Sequence, residues 1–273
     1  MATLTFIGAG NMSSSIIGGL IEQGYCPDDI TASDPNTEGL QAIHHKLGIR
    51  TTTDNNTACA SCDVIVLAVK PQVLKQVVTG LQGVLAQRSQ APMIISIAAG
   101  ISCDHIRQWI GRDIAVVRCM PNTPALVGQG ASGLYANTQT SNEQKAIAEQ
   151  LMGAVGYATW VAKESLIDTV TAISGSAPAY FFLMMEAMID AGVKQGLDRE
   201  SATQLTLQTA MGAATLAKNS DVAVDELRRR VTSPGGTTEQ AILSYEQAGL
   251  RNIVEDAMQR CADRSVEMAK EFS

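Results

Sequence analysis

The chain has 273 residues, of which 45% are hydrophobic and 17% charged, and it carries a formal net charge of −7 with a pI near 5.0. That length suits two domains of ordinary size, and the hydrophobic share excludes a disordered chain. The acidic balance, without any long basic run, argues against nucleic acid as a partner.

Residues 3–7 read as a strand and 11–23 as a helix, followed by a second strand at 29–33. Residues 37–47 read as a helix with Leu40, Ile43, His44 and Leu47 on one face. Residues 63–69 form a continuous apolar run rich in β-branched side chains, the pattern of a strand buried on both faces of a parallel sheet. Residues 92–98 and 114–119 repeat it, 141–155 read as a helix, and 158–161 as a last short strand. This βαβ alternation implies a doubly wound α/β sheet with right-handed crossovers over residues 1–163.

From residue 164 onward strand signals vanish and helices take over, giving an all-α second domain at 164–273. Residues 178–195 are apolar on nearly all sides, with Tyr180, Phe181, Phe182, Leu183, Met184 and Met185 in succession. Such a helix must be covered all round, which a domain this small does not manage alone, so a second copy is expected. Further helices are expected at 199–218, 225–231 and 252–272. Within them the cluster Arg228, Arg229 and Arg230 reads as a solvated helix face or an interface feature, and Met-rich stripes read as core, with a ligand cavity as the alternative. Residues 177–185 are too short an apolar stretch to span a bilayer, and the first residues enter a strand with no signal segment, so a cytoplasmic location and no membrane partner are expected.

Of the six cysteines only Cys59 and Cys62 form a CxxC, with no second pair and no histidine at ligand spacing. They read as free thiols near the start of a buried strand, and no metal site is expected.

The chemistry-bearing signal begins at residue 8. Gly8-Ala9-Gly10-Asn11-Met12-Ser13 follows a strand and opens a helix. Gly8 permits the tight turn, Gly10 lets a pyrophosphate approach the backbone, and Ser13 is small enough to stand where a third glycine is usual. The opening N–H groups of the helix then face the phosphates. Asp34 ends the second strand, where a carboxylate accepts from ribose hydroxyls and repels a 2′-phosphate. That leans towards NADH; a turn cap before Pro35 is the alternative role, and Ser33 and Asn36 leave NADPH open.

Six segments together resemble the pyrroline-5-carboxylate reductase family: Ile7 to Met12, Ala68-Val69-Lys70-Pro71, Ser96 to Gly100, Met120 to Pro124, Ser174 to Tyr180, and Ser233-Pro234-Gly235-Gly236-Thr237-Thr238. The resemblance spans the chain. It implies a Rossmann domain followed by a helical dimerisation domain, NADPH or NADH as hydride donor, and reduction of the C=N bond of 1-pyrroline-5-carboxylate to proline in a homo-oligomer built on a dimer. It implies that Gly8, Ala9, Gly10, Asn11 and Met12 hold the pyrophosphate, and that Asn55 sits on the adenosine side. Ala68, Val69, Lys70 and Pro71, with Ala98, Ala99 and Gly100, are implied to line the coenzyme, and Thr238 to bond the substrate ring nitrogen. Many relatives carry Ser where this chain has Asp34.

The scarcity of histidine fits an imine substrate, since a protonated C=N accepts hydride without a strong protein acid. Ser233, Gly235, Gly236 and Thr237 are the candidate substrate cradle. Thr237 reads as an N-cap completed by Gln240 in a capping box, with free N–H groups for the substrate carboxylate. Ser176 reads as the cap of the apolar helix, with Pro178 in its first turn. Lys70 reads as ordering the loop beside the coenzyme, with an acid role as the alternative. Competing functions are a β-hydroxy-acid dehydrogenase of the same layout, a non-catalytic dinucleotide-sensing dimer, and a methyltransferase on a similar glycine loop.

Overall fold

The computed structural model describes residues 1–271; Phe272, the expected end of the last helix, lies outside the described residues. The apolar runs of the first half become β1 (Leu4–Ile7), β4 (Val64–Leu67) and β5 (Met93–Ser96), each with all four residues buried. Burial on both faces is what helices packed above and below a sheet impose. β2 (Ile30–Ser33), β3 (Arg50–Thr52), β6 (Val116–Met120), β7 (Gly130–Ala136) and β8 (Gly156–Trp160) complete an eight-stranded sheet ordered β3-β2-β1-β4-β5-β6-β7-β8. Seven helices intervene: α1 (Asn11–Glu22), α2 (Thr37–Leu47), α3 (Asn55–Cys59), α4 (Pro71–Gly80), α5 (Gln82–Ala86), α6 (Cys103–Ile110) and α7 (Asn142–Gly153).

Six neighbouring pairs are parallel, and β7 runs antiparallel to β6, with Met120 opposite Gly133. The sheet is therefore mixed rather than wholly parallel. β7 gave no strand signal because its sequence, GASGLYA, carries two glycines and no β-branched residue. β3, α3, α4, α5 and α6 are likewise elements that the sequence pattern did not single out.

β1 sits between β2 and β4, and Ile7 pairs with both Ser33 and Leu67. Strand order reverses between β1 and β4, so the crevice past their carboxyl ends is where an open α/β sheet binds ligands. Two apolar clusters fill the two faces. One gathers Phe6, Ile16, Ile17, Leu20, Val66 and Ile95 under α1; the other gathers Ile7, Ile65, Leu67, Leu74, Ile94 and Ile106 under α4 and α6.

The helical half comprises α8 (Leu166–Val170), a π-turn at Thr171–Gly175, α9 (Ala177–Lys194), α10 (Arg199–Lys218), α11 (Val224–Arg230), α12 (Thr237–Gln247) and α13 (Leu250–Glu271). The chain divides into two compact units, residues 1–176 with the chain from Arg260 onward, and residues 177–259. The expected boundary after residue 163 differs in the assignment of residues 164–176 and of the end of α13. Ser176 is not a cap: its N–H donates to Thr171 O across the π-turn at 2.8 Å, and its hydroxyl takes a contact from the Cys261 thiol at 3.4 Å. With the π-turn between α8 and α9, Leu166–Lys194 forms a 29-residue helical run, which by length and composition alone would suffice to cross a membrane. The 177–185 stretch is thus part of a longer apolar helix than its sequence suggested. Within the second unit α9 and α10 pack on each other, while Phe181, Phe182 and Leu183 stay 65%, 62% and 67% exposed in the single chain.

A buried cation ties the sheet to the end of α13. Arg118 on β6 is 5% exposed and faces Glu164 at 3.5 Å and Asp168 at 3.7 Å. Glu164 also accepts from the Cys103 N–H at 2.8 Å, and Asp168 from the Ser265 hydroxyl at 2.7 Å. Removing one partner of such a group leaves the other charges uncompensated, at a cost of about 3–5 kcal/mol. Arg118→Ala should therefore lower the unfolding free energy, read from denaturant titration, by an amount in that range; a loss under about 1 kcal/mol, the scale of an exposed pair, would show that the cluster is solvated.

Candidate active site

Gly8 leaves β1 with φ +100°, a conformation that L side chains rarely adopt, and a Cβ there would lie 2.6 Å from the Ala68 carbonyl oxygen. The turn is thus pressed against the end of β4. Backbone bonds hold it there: Gly8 N–H to Ser33 O and Ala68 N–H to Ile7 O, both 2.8 Å. Ser13, where a third glycine is usual, is fully buried and donates its hydroxyl to Gly8 O at 2.6 Å. It thus closes the turn instead of merely tolerating close packing. Gly10 is the N-cap of α1, in extended backbone, and no side chain caps the helix. The first N–H groups of α1, at Asn11 and Met12, therefore lack helical partners and are open to an anion.

Beside the turn lies a cavity of about 500 Å³ whose lining includes Gly8, Ser33, Asn55, Val69, Gln76 and Val77. Ser33 Oγ donates to Asn55 Oδ1 at 2.6 Å, joining the end of β2 to the start of α3. Asp54 caps α3 by accepting from Asn56 and Thr57 N–H. The Thr57 hydroxyl and then the Asn56 N–H hold its carboxyl below the usual carboxylate range. The Asp34 carboxylate accepts from Ala9 N–H and Asn36 N–H, each at 2.9 Å. It therefore does cap a turn, and it also reaches into the glycine loop. Lys70 is the N-cap residue of α4, with Pro71 at its first helical position, directly after β4. Ala98 and Gly100 follow β5, with Ala98 buried and Gly100 at φ +74°. Ser33 closes β2, and Gly8 to Met12, Asp34, Asn55, Ala68 to Pro71 and Ala98 to Gly100 sit in the loops or helix starts that follow the carboxyl ends of β1 to β5. A dinucleotide fits these parts on two counts: a cradle that a Cβ at residue 8 would fill, and an uncapped helix start just after it.

The second candidate set lies in the other unit. Gly235 has φ +74°, and Gly236, in extended backbone, is the N-cap of α12 with no side-chain cap. Thr237 is therefore the first helical residue and not the cap, and the capping box with Gln240 does not form: Gln240 N–H donates to Gly236 O at 3.3 Å. The carboxylate of Glu239 turns back to accept from Gly235 N–H at 2.7 Å, and Gly236 N–H donates to Ser233 O at 3.0 Å. The two glycines spend their own N–H groups inside the loop. What remains for an anion is the first turn of α12, at Thr237 and Thr238.

Two further clusters carry other roles. Cys59 and Cys62 are both free and buried, the former closing α3 and the latter preceding β4. The Cys59 thiol, with help from Thr5 and Arg88, brings Cys62 down to about 6, while the same pairing and burial push Cys59 up. Arg229 and Arg230 are paired with Asp225 and Glu226 of their own helix, as a solvated helix face would be.

Substituting Gly8 by Ala imposes about 1–2 kcal/mol of backbone strain and a clash with Ala68. Coenzyme affinity should fall by about tenfold or more, measured by quenching or transfer fluorescence of the reduced nicotinamide; unchanged affinity would remove the turn from the site.

Comparison with known proteins follows the same division. A family model described as pyrroline-5-carboxylate reductase dimerisation matches residues 164–268, and one described as NADP oxidoreductase, coenzyme F420-dependent, matches residues 3–100. A pyrroline-5-carboxylate reductase of Pseudomonas aeruginosa is 53% identical over 98% of this chain and 97% of its own length. The solved pyrroline-5-carboxylate reductase of Coxiella burnetii superposes with a TM-score of 0.94 at 42% identity, covering 98% of each chain. That of Plasmodium falciparum, with NADP bound, superposes with a TM-score of 0.85 at 30% identity, again over 98% of each.

Proposed function

The chain belongs to the pyrroline-5-carboxylate reductase family, and on that premise we propose that it reduces the C=N bond of 1-pyrroline-5-carboxylate with hydride from NADPH or NADH, giving L-proline. One observation carries this reading, namely 53% identity to a reductase of that name over nearly the whole of both chains. The β-hydroxy-acid dehydrogenase, sensor and methyltransferase alternatives have no comparable support.

The coenzyme, when bound, supplies the hydride. The chain's own residues supply position and charge. The α1 N–H groups beyond Gly10 hold the pyrophosphate, and Asn55 with Ser33 walls the adenosine side. Val69, Lys70 and Pro71 after β4, and Ala98, Ala99 and Gly100 after β5, flank the rest of the coenzyme. Lys70 orders the turn into α4. The substrate carboxylate rests on the N–H groups of Thr237 and Thr238, reinforced by the positive end of α12. Ser233, Gly235 and Gly236 shape that loop so the backbone can come close. The Thr238 hydroxyl, both donor and acceptor, fixes the ring nitrogen, so that the carbon of the protonated C=N is presented for hydride transfer. No strong acid is required at this nitrogen, in keeping with three histidines in the whole chain.

A second copy of the chain is the natural cover for the exposed Phe181, Phe182 and Leu183, and the dimerisation model over residues 164–268 supports it. A dimer also gives the long apolar helix through residue 194 a protein neighbour in place of lipid. We read the enzyme as cytoplasmic, with a small-molecule substrate and without nucleic-acid or membrane partners.

The test is direct. With 1-pyrroline-5-carboxylate and reduced coenzyme, nicotinamide absorbance should fall as proline accumulates, and no turnover with either coenzyme would reject the reading. Thr238→Ala removes a hydrogen bond to a charged group, about 1.5–3 kcal/mol, so kcat should drop roughly 10- to 100-fold with coenzyme affinity unchanged. An equal loss of both would make Thr238 a structural residue.

A further inference from the structure

The adenosine cavity beside the glycine turn is built without a cation. Its lining includes Gly8, Ser33, Pro35, Asp54, Asn55 and Gln76, and among the described residues that line it there is no Lys or Arg. Lys46 and Arg50, the first bases after Asp34 in the chain, line two other cavities, one along α1 and one beside β3. The cavity does contain a carboxylate, Asp54, held in its ionised form by the Thr57 hydroxyl and the Asn56 N–H.

Asp34 adds a second carboxylate at the end of β2. Its two oxygens are held by Ala9 N–H and Asn36 N–H at 2.9 Å each, so the side chain is fixed against the glycine loop. Each oxygen keeps an acceptor site for a sugar hydroxyl. Turning it away would leave two amides unpaired. Of the neutral groups beside the strand end, the Ser33 hydroxyl is already spent on Asn55; Asn36 accepts from Gly39 N–H at 3.1 Å through its oxygen and offers only its uncharged side-chain amide to a phosphate.

Resting on the reductase reading, we infer that Asp34 is a specificity-determining residue that makes this chain prefer NADH to NADPH, although the family model matching its N-terminal part is described by NADP. A 2′-phosphate adds close to two negative charges, and here it meets two fixed carboxylates and no compensating base. A ribose hydroxyl in its place meets acceptors. Like charges brought together at a site discriminate strongly, so the preference should be at least about tenfold.

The experiment is a titration of the full-length enzyme with NADH and with NADPH, followed by nicotinamide fluorescence without substrate. NADH should bind at least about tenfold more tightly. Asp34→Asn keeps an acceptor for Ala9 and removes the charge; it should tighten NADPH several-fold and move NADH little. Asp34→Ser should narrow the ratio further, by weakening NADH as well. Equal or tighter binding of NADPH by the unmodified enzyme overturns the inference, as does a ratio that neither substitution changes. The unmodified ratio decides the matter even if a variant does not fold. Because binding is read without turnover, an enzyme inactive on 1-pyrroline-5-carboxylate would count against the proposed function and leave this result standing.

Discussion

Helix α1 and helix α12 both begin at a glycine in extended backbone that offers no side chain to their first N–H groups, and the proposed chemistry rests on those unspent amides. A Ser, Asp or Asn at such a cap would fill them and stabilise the helix by about 1 kcal/mol. Here that stability is forgone, and two helix starts are left open, which we propose receive a pyrophosphate and a carboxylate. The rest of the first unit keeps the first of these in place. Gly8 is locked under Ala68 by sterics, Ser13 bolts the turn from below, and Asp34 holds Ala9 from the side. None of these residues needs to react. They set a backbone in position before any ligand arrives, which is the least costly form of electrostatic assistance.

The second site has a counterpart to Asp34. Glu239 ties back to Gly235, as Asp34 ties to Ala9. In both loops a carboxylate consumes the amide of the residue just before the N-cap glycine and leaves the amides beyond it open. The parallel explains how short glycine-rich loops, flexible by composition, are held in one conformation without a large side chain. On the proposed reading it also divides the labour within each motif: glycines give shape, and the first helical residues give contact.

Much of this was legible in the sequence. The buried strands read correctly because residues such as Val64 to Leu67 must be apolar on both faces, and a helix with its own 3.6 period, such as residues 37–47 or 199–218, is hard to mistake. The glycine turn was legible for a related reason: its requirement is on backbone torsion, which only one residue type meets freely. What escaped was whatever depends on a distant partner. β7 has the composition of a loop and is a strand because β6 and β8 flank it. Ser176 carried a cap signal, and the π-turn through Thr171 to Gly175 overrode it. Thr237 and Gln240 satisfied a capping-box pattern, yet Gly236 took the cap position and Glu239 took the amide. The reach of Asp34 to Ala9 and the anionic lining beside Ser33 likewise arise from the fold, so the sequence could suggest a coenzyme preference without supplying its cause.

The most direct test of the central claim, that uncapped helix starts hold both ligands, is a crystal structure of the enzyme with oxidised coenzyme and proline. The account predicts the pyrophosphate within hydrogen-bond distance of the amides at the start of α1. It predicts the proline carboxylate on the N–H groups of Thr237 and Thr238, with the Thr238 hydroxyl at the ring nitrogen. Proline bound with its carboxylate on a side-chain cation, and Thr238 beyond about 3.5 Å of the nitrogen, would contradict it.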